Sequence, residues 1–168
     1  MADESLSTAE TLGTSLQAVN STLSIAESAT GGSICSKVTT VPGASAYFIG
    51  GMVTYAYEAK LQQLGVPREE LDEHGAVSEP VARSMARGVR DRFDTTWGLS
   101  ITGVAGPTGG STETPIGTMY IGIGHAGEWG TETTWTRVHQ RIFDGDRESI
   151  IAEASETALS LFLDEIVD

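Results

Sequence analysis

An α/β fold with a mixed sheet and helices on both faces is what this sequence predicts. Strand-like and helix-like segments alternate through the first hundred residues. Two strand-like segments then follow one another, at 116–124 and 131–138, and an amphipathic stretch from Arg147 to Val167 closes the chain. At 168 residues the chain has the length of one domain with room for a sizeable core, and it shows no repeat, linker or low-complexity tract.

Each element has its own local reason. Leu12, Leu16 and Val19 recur at helical spacing behind a Ser or Thr cap, so an N-terminal helix within residues 1–20 is expected to pack on the domain. Thr22 to Ala26 reads as a short buried strand, and Glu27-Ser-Ala-Thr-Gly-Gly32 breaks it ahead of a helix reaching about Thr40. Strand, glycine turn, helix is the order in which α/β folds present backbone N–H groups to an anion. After a turn at Val41-Pro-Gly43, Tyr47 to Tyr55 reads as a strand whose Gly50-Gly51 marks a bulge or a close backbone approach. Glu58 to Leu64 is a short helix ended by Gly65, and Pro67 opens another with Glu69 and Glu70 in its first turn. Ser78-Glu-Pro80 starts a longer helix with Val81, Met85, Val89 and Phe93 facing inward. Trp97 to Thr102 is a buried strand that runs into Gly103-Val-Ala-Gly-Pro-Thr-Gly-Gly110, the longest flexible loop of the chain.

Composition excludes several function classes. Ten basic residues against 23 acidic ones give a net charge of -13, which repels nucleic acid, and no basic patch interrupts it. Eight of the ten bases are arginine, and so acidic and lysine-poor a chain suits a high-salt cytosol. Cys35 is alone, so no disulfide framework or CxxC metal pattern exists and a reducing compartment is expected. The first 20 residues lack the basic start and apolar run of a signal peptide, and no stretch approaches membrane-spanning length. The expectation is a cytoplasmic protein with a small-molecule partner, without nucleic acid or membrane. His74, His125 and His139 stand at no ligand spacing, so no metal is expected, and Trp97, Trp129 and Trp135 read as core or interface residues.

Three segments carry the chemistry. Glu27 to Gly32 is either a phosphate or oxyanion cradle or simply a helix start capped by Ser28 or Thr30, with glycines for a tight turn. Gly103 to Gly110 lacks the lysine of a P-loop and the spacing of a dinucleotide fingerprint, which leaves a close approach to a ligand or a flexible connector. The third is Ser45, Tyr55 and Lys60. A desolvated lysine loses its proton and becomes a base, so a serine, tyrosine and lysine brought together can cleave an amide without histidine or metal; a turn serine, a buried aromatic and a surface lysine would look the same in sequence. Tyr55 and Lys60 lie five apart, not the four of a short-chain dehydrogenase, and neither lysine is preceded by Ser-x-x, which removes the penicillin-recognising pattern.

Eight ordered blocks are similar to one known family: Ala26-Glu-Ser-Ala-Thr-Gly-Gly32, Val41-Pro-Gly-Ala-Ser45, Val53-Thr-Tyr-Ala-Tyr-Glu-Ala-Lys60, Leu64-Gly-Val-Pro67, Gly75-Ala-Val-Ser-Glu79, Thr102-Gly-Val-Ala-Gly-Pro-Thr-Gly-Gly110, Pro115-Ile-Gly-Thr118 and Gly145-Asp-Arg147. From about residue 22 onward the chain resembles the CinA C-terminal domain family, whose enzymic members are nicotinamide-nucleotide amidases. The resemblance implies a three-layer α/β/α sandwich around a mixed, mostly parallel sheet. It implies hydrolysis of nicotinamide mononucleotide to nicotinic acid mononucleotide and ammonia, within pyridine nucleotide salvage, with no cofactor and in a homo-oligomer.

On the same resemblance the catalytic residues fall on Ser45 as nucleophile with Tyr55 and Lys60 as base pair. Ser28, Thr30, Gly31, Gly32, Thr102, Gly103, Ala105, Gly106, Gly109 and Gly110 are expected to line the nucleotide pocket, with Arg147 as a phosphate contact. The expected reaction is acyl transfer: Lys60 takes the Ser45 proton directly or through the Tyr55 hydroxyl, glycine-loop amides hold the oxyanion, and water releases the acyl group. Three positions depart from the family pattern: Ala29 stands for a cysteine, Thr108 for an aspartate and Tyr57 for an asparagine. A nucleotide-binding module without turnover is the competing expectation.

Overall fold

A computed structural model describes residues 6–167, so the first five residues of the expected 1–20 helical segment lie outside the described residues. The elements in order are α1 (Thr8–Ala18), β1 (Leu23–Glu27), α2 (Ser33–Thr39), a 3-10 turn (Ala44–Ala46), β2 (Phe48–Val53), α3 (Tyr57–Leu64), α4 (Arg68–His74), α5 (Glu79–Phe93), β3 (Trp97–Gly103), β4 (Thr118–His125), β5 (Trp135–Ile142) and α6 (Arg147–Val167). The sheet order is β2-β1-β3-β4-β5. β1 runs parallel to both β2 and β3, whereas β4 and β5 pair antiparallel to their neighbours. The mixed sheet expected from the sequence is therefore a parallel half beside an antiparallel half.

Period-two alternation sorts the strand side chains into two apolar layers. Leu23, Ile25, Leu99, Ile101, Met119, Ile121 and Ile123 pack with Leu12 and Leu16 of α1, Ile34 and Val38 of α2, and Ala154, Leu159 and Phe162 of α6. On the opposite face Ala26 meets Leu64 of α3, Leu71 of α4, and Val81, Met85 and Val89 of α5. These are the three layers. α1 opens with a capping box in which Ser7 accepts from the Glu10 amide and the Glu10 carboxylate reaches back to the Ser7 amide.

Both readings of Gly50-Gly51 hold. The register slips between Leu23 and Ser24, so Ile49 bulges out of β2. A Cβ on Gly51 would stand 2.5 Å from Cys35 Sγ and 2.8 Å from the Ile25 carbonyl oxygen, so only glycine lets β2 lie this close to β1 and α2. The last strand departs from expectation. It starts at Trp135, not Thr131, because the Thr131 amide and hydroxyl both donate to the Glu128 carbonyl and close a turn there. Trp129 lies in that turn, fully exposed, while Trp97 is buried against His125, Trp135 and Phe162.

Candidate active site

Because β2, β1 and β3 are parallel, their carboxyl ends lie at one rim of the sheet, and the segments that leave them meet there. Lys60 comes from the first turn of α3, directly after β2, and its side chain is fully buried. Its Nζ donates to Ser28 Oγ at 2.9 Å, to the Thr54 carbonyl at 2.6 Å and to the Tyr55 carbonyl at 3.1 Å. Among the described residues no carboxylate pairs with it. Burial without a counter-charge pulls the ammonium down to about 8. A neutral amine has two N–H groups and one lone pair. With the two hydrogens on the Thr54 and Tyr55 carbonyls, the lone pair is left facing the Ser28 hydroxyl, which then donates to it.

Ser28 is the first residue past β1. Its amide donates to the Ile101 carbonyl at 3.1 Å, and the residue is only 7% exposed. The following turn passes through Gly31 and Gly32 at φ +58° and +104°, the left-handed region that glycine tolerates. The buried Glu27 carboxylate accepts from Thr30 Oγ1 at 2.6 Å and from the Ile34 and Cys35 amides at 3.0 and 2.9 Å. The first amides of α2 are thus capped by the chain itself. Thr30, Gly31 and Gly32 do not line the cavity, and neither Ser28 nor Thr30 caps the helix: Gly32 precedes α2 without a side-chain cap bond, the cap comes from Glu27, and of the capped-helix-start alternative only the tight glycine turn holds. Cys35 is a neighbour of the site without being part of it: burial, and then the Glu27 charge, push its thiol far above the ordinary range, so it stays protonated.

A cavity of about 240 Å³ opens over Ser28. It is lined by Ser28 and Ala29, by Thr102 and Gly103 of β3, by Val104, Ala105, Gly106, Thr108 and Gly109 of the following loop, and by Tyr55, Ala76, Val77 and Arg147. The wall at Ala76 is fixed twice, since its amide donates to the Tyr57 hydroxyl at 3.2 Å and its carbonyl accepts from Thr102 Oγ1 at 2.8 Å. Arg147, the first residue of α6, is the only charged residue of the lining among the described residues. Its Nη1 donates to the Gly106 carbonyl at 2.5 Å and its Nη2 to the Tyr55 hydroxyl at 3.4 Å. Gly110 lies outside the lining, packed against the Pro115-Ile116 backbone.

Two expectations need correction. Ser45 is not beside Lys60: it sits exposed in the 3-10 turn that precedes β2, in a different surface hollow with Thr39, Val41, Pro42 and Phe48. Lys60 lies beyond the other end of β2, and the six residues of that strand alone separate the two by roughly 20 Å at the ~3.3 Å rise of a strand residue. The serine on the lysine is Ser28. Nor does Lys60 meet the Tyr55 hydroxyl; it meets the Tyr55 carbonyl, while the phenol faces Arg147 across the cavity. Glu27 enters the sequence reading only as the first residue of the segment Glu27 to Gly32, and Ala76 and Val77 only within the block Gly75 to Glu79. The exposed signal for Glu27 was its place between a strand and a glycine turn, where a carboxylate can reach the amides of the next helix.

A model of the CinA C-terminal domain matches residues 5–166. The chain belongs to the CinA C-terminal domain family. A Moorella thermoacetica protein whose name calls it competence-damage inducible is 48% identical over 149 residues, which are 89% of this chain and 34% of that protein. A CinA-like protein of Gemmatimonas aurantiaca is 45% identical over 138 residues, 82% of this chain and 31% of that one. The chain therefore spans about a third of the length of the curated relatives it matches. Crystal structures agree with the fold. A CinA superfamily protein from Klebsiella pneumoniae superposes with a TM-score of 0.88 at 29% identity, over 95% of this chain and 96% of that one. The competence/damage inducible protein of Agrobacterium tumefaciens gives 0.86 at 33% identity, over 98% and 99%. This member of the CinA C-terminal domain family thus shares the mixed α/β architecture of those structures.

Proposed function

We propose that this CinA-family domain is an amidohydrolase that converts nicotinamide mononucleotide to nicotinic acid mononucleotide and ammonia, with Ser28 as nucleophile and Lys60 as its base. The observation that carries the reading is the buried Lys60 amine 2.9 Å from Ser28 Oγ, with burial holding it near 8 and no carboxylate to keep it charged.

Lys60 takes the Ser28 proton as Oγ attacks the carboxamide carbon. The tetrahedral oxyanion is assigned to the amides of Ala105 and Gly106, cavity-lining residues whose N–H groups have no hydrogen-bond partner among the described residues. The lysine returns its proton to the departing amine, ammonia leaves, and water attacks the acyl-Ser28 ester with Lys60 again as base. Product acid and free Ser28 remain.

Charge in the cavity suits the rest of this substrate. Arg147, the one charged residue of the lining among the described residues, is assigned the phosphate, and the aromatic ring of Tyr55 the pyridinium cation. A cytoplasmic location and a homo-oligomer belong to the same proposal. No helix among the described residues is long and apolar enough to cross a membrane. The test is mass balance: ammonia and nicotinic acid mononucleotide should appear in equal amounts from nicotinamide mononucleotide. Tight binding of the nucleotide without either product would instead make the domain a nucleotide-binding module.

A further inference from the structure

We propose that Glu27 is a positioning residue, whose carboxylate clamps the Ser28–Gly32 turn onto α2 and so holds the Ser28 hydroxyl on the Lys60 amine. The inference rests on the Ser28–Lys60 reading above. Glu27 is fully buried, and among the described residues it has no cationic partner. A buried carboxylate held by neutral donors alone is costly, and a helix start can be capped by a serine, threonine or asparagine at far lower desolvation cost. A carboxylate does something those side chains cannot. Its two oxygens accept from the middle of the turn, at Thr30 Oγ1, and from two successive amides of the helix, at Ile34 and Cys35.

The main chain of the same residue fixes the other partner. The Glu27 carbonyl accepts from the Thr54 amide at 2.8 Å, and the Thr54 carbonyl in turn accepts from Lys60 Nζ at 2.6 Å. Nucleophile and base are therefore both referenced to residue 27, one through its side chain and one through its backbone. The cavity wall at 103–109 and Arg147 are not part of this clamp. Loosening it should shift the Ser28 hydroxyl and leave nucleotide binding intact.

The experiment compares wild type with Glu27→Gln, Thr30→Val and Thr30→Ser in three readouts: melting temperature, kcat and KM for ammonia release, and the rate at which a small fluorophosphonate labels Ser28, mapped by mass spectrometry. Glutamine keeps one acceptor oxygen but turns an NH2 group toward an amide N–H, and valine removes only the Thr30 hydroxyl. Because an ångström of misplacement costs up to about a hundredfold in rate, labelling and kcat are expected to fall about tenfold in Thr30→Val and about a hundredfold in Glu27→Gln, with KM within about twofold of wild type. Thr30→Ser should restore both rates. Lower melting temperatures with unchanged labelling and kcat would reduce Glu27 to a structural cap and overturn the proposal, as would a rise in KM alone. If Glu27→Gln fails to fold, the Thr30 pair decides. A wild-type protein in which Ser28 takes no label overturns the nucleophile assignment itself, an outcome distinct from equal labelling in all variants.

Discussion

Lys60 is the residue on which the proposed chemistry depends. As the base of that reaction it must be the neutral amine, and burial brings its pKa to about 8, so turnover should rise about tenfold per pH unit below that value and level off above it. A pH-rate profile of kcat/KM measures this directly, and Lys60→Arg, which cannot deprotonate, should remove the activity at every pH. Arg147 makes a second residue-level case. Losing a hydrogen-bonded charge pair costs ~1.5–3 kcal/mol, so Arg147→Gln should raise KM for the nucleotide by about ten- to a hundredfold while kcat changes less, as steady-state kinetics would show. The sequence exposed Lys60 through its rarity and Arg147 through its charge at a helix start. It misled over the serine: the resemblance puts the nucleophile on Ser45, 15 residues from Lys60, whereas the serine on the lysine is Ser28, 32 residues away. Only the parallel pairing of β1 and β2, which puts residues 28 and 54–60 at the same rim, resolves it.

At the scale of elements, β2 shows how a strand can be legible and its neighbours not. Its glycine pair signalled a bulge or a close approach, and both are present, because the constraint is local to the backbone and prints itself on the sequence as missing side chains. Gly51→Ala would drive a Cβ into the Ile25 carbonyl oxygen, which cannot move without breaking the sheet, and should destabilise the domain by ~1–3 kcal/mol in a urea titration. The start of β5 was not legible, since Thr131 to Thr134 carries the β-branched composition of a strand while hydroxyl bonds to the backbone turn it into a loop. The helices were read to within a residue or two, as their caps and apolar spacing are sequence-local.

For the whole molecule, the net charge of -13 and the buried lysine both act on stability. Self-repulsion of the carboxylates is screened by salt, so the melting temperature should climb as sodium chloride is raised from low to molar concentration. The lysine acts oppositely to an ion pair. Its pKa falls from 10.5 in the unfolded chain to about 8 in the fold, so between these values the unfolded state holds the extra proton and stability rises with pH. Measured against Lys60→Met, whose other titrations are the same, the wild-type unfolding free energy should increase by on the order of 3 kcal/mol from pH 8 to 10.5. The fold thus holds a destabilising amine at neutral pH next to an alcohol, as the proposed reaction requires. The most direct measurement is ammonia release from nicotinamide mononucleotide by Ser28→Ala and Ser45→Ala beside wild type. Loss of turnover by several orders of magnitude in Ser28→Ala, with Ser45→Ala unchanged, is the expected result; turnover retained in Ser28→Ala would contradict the account.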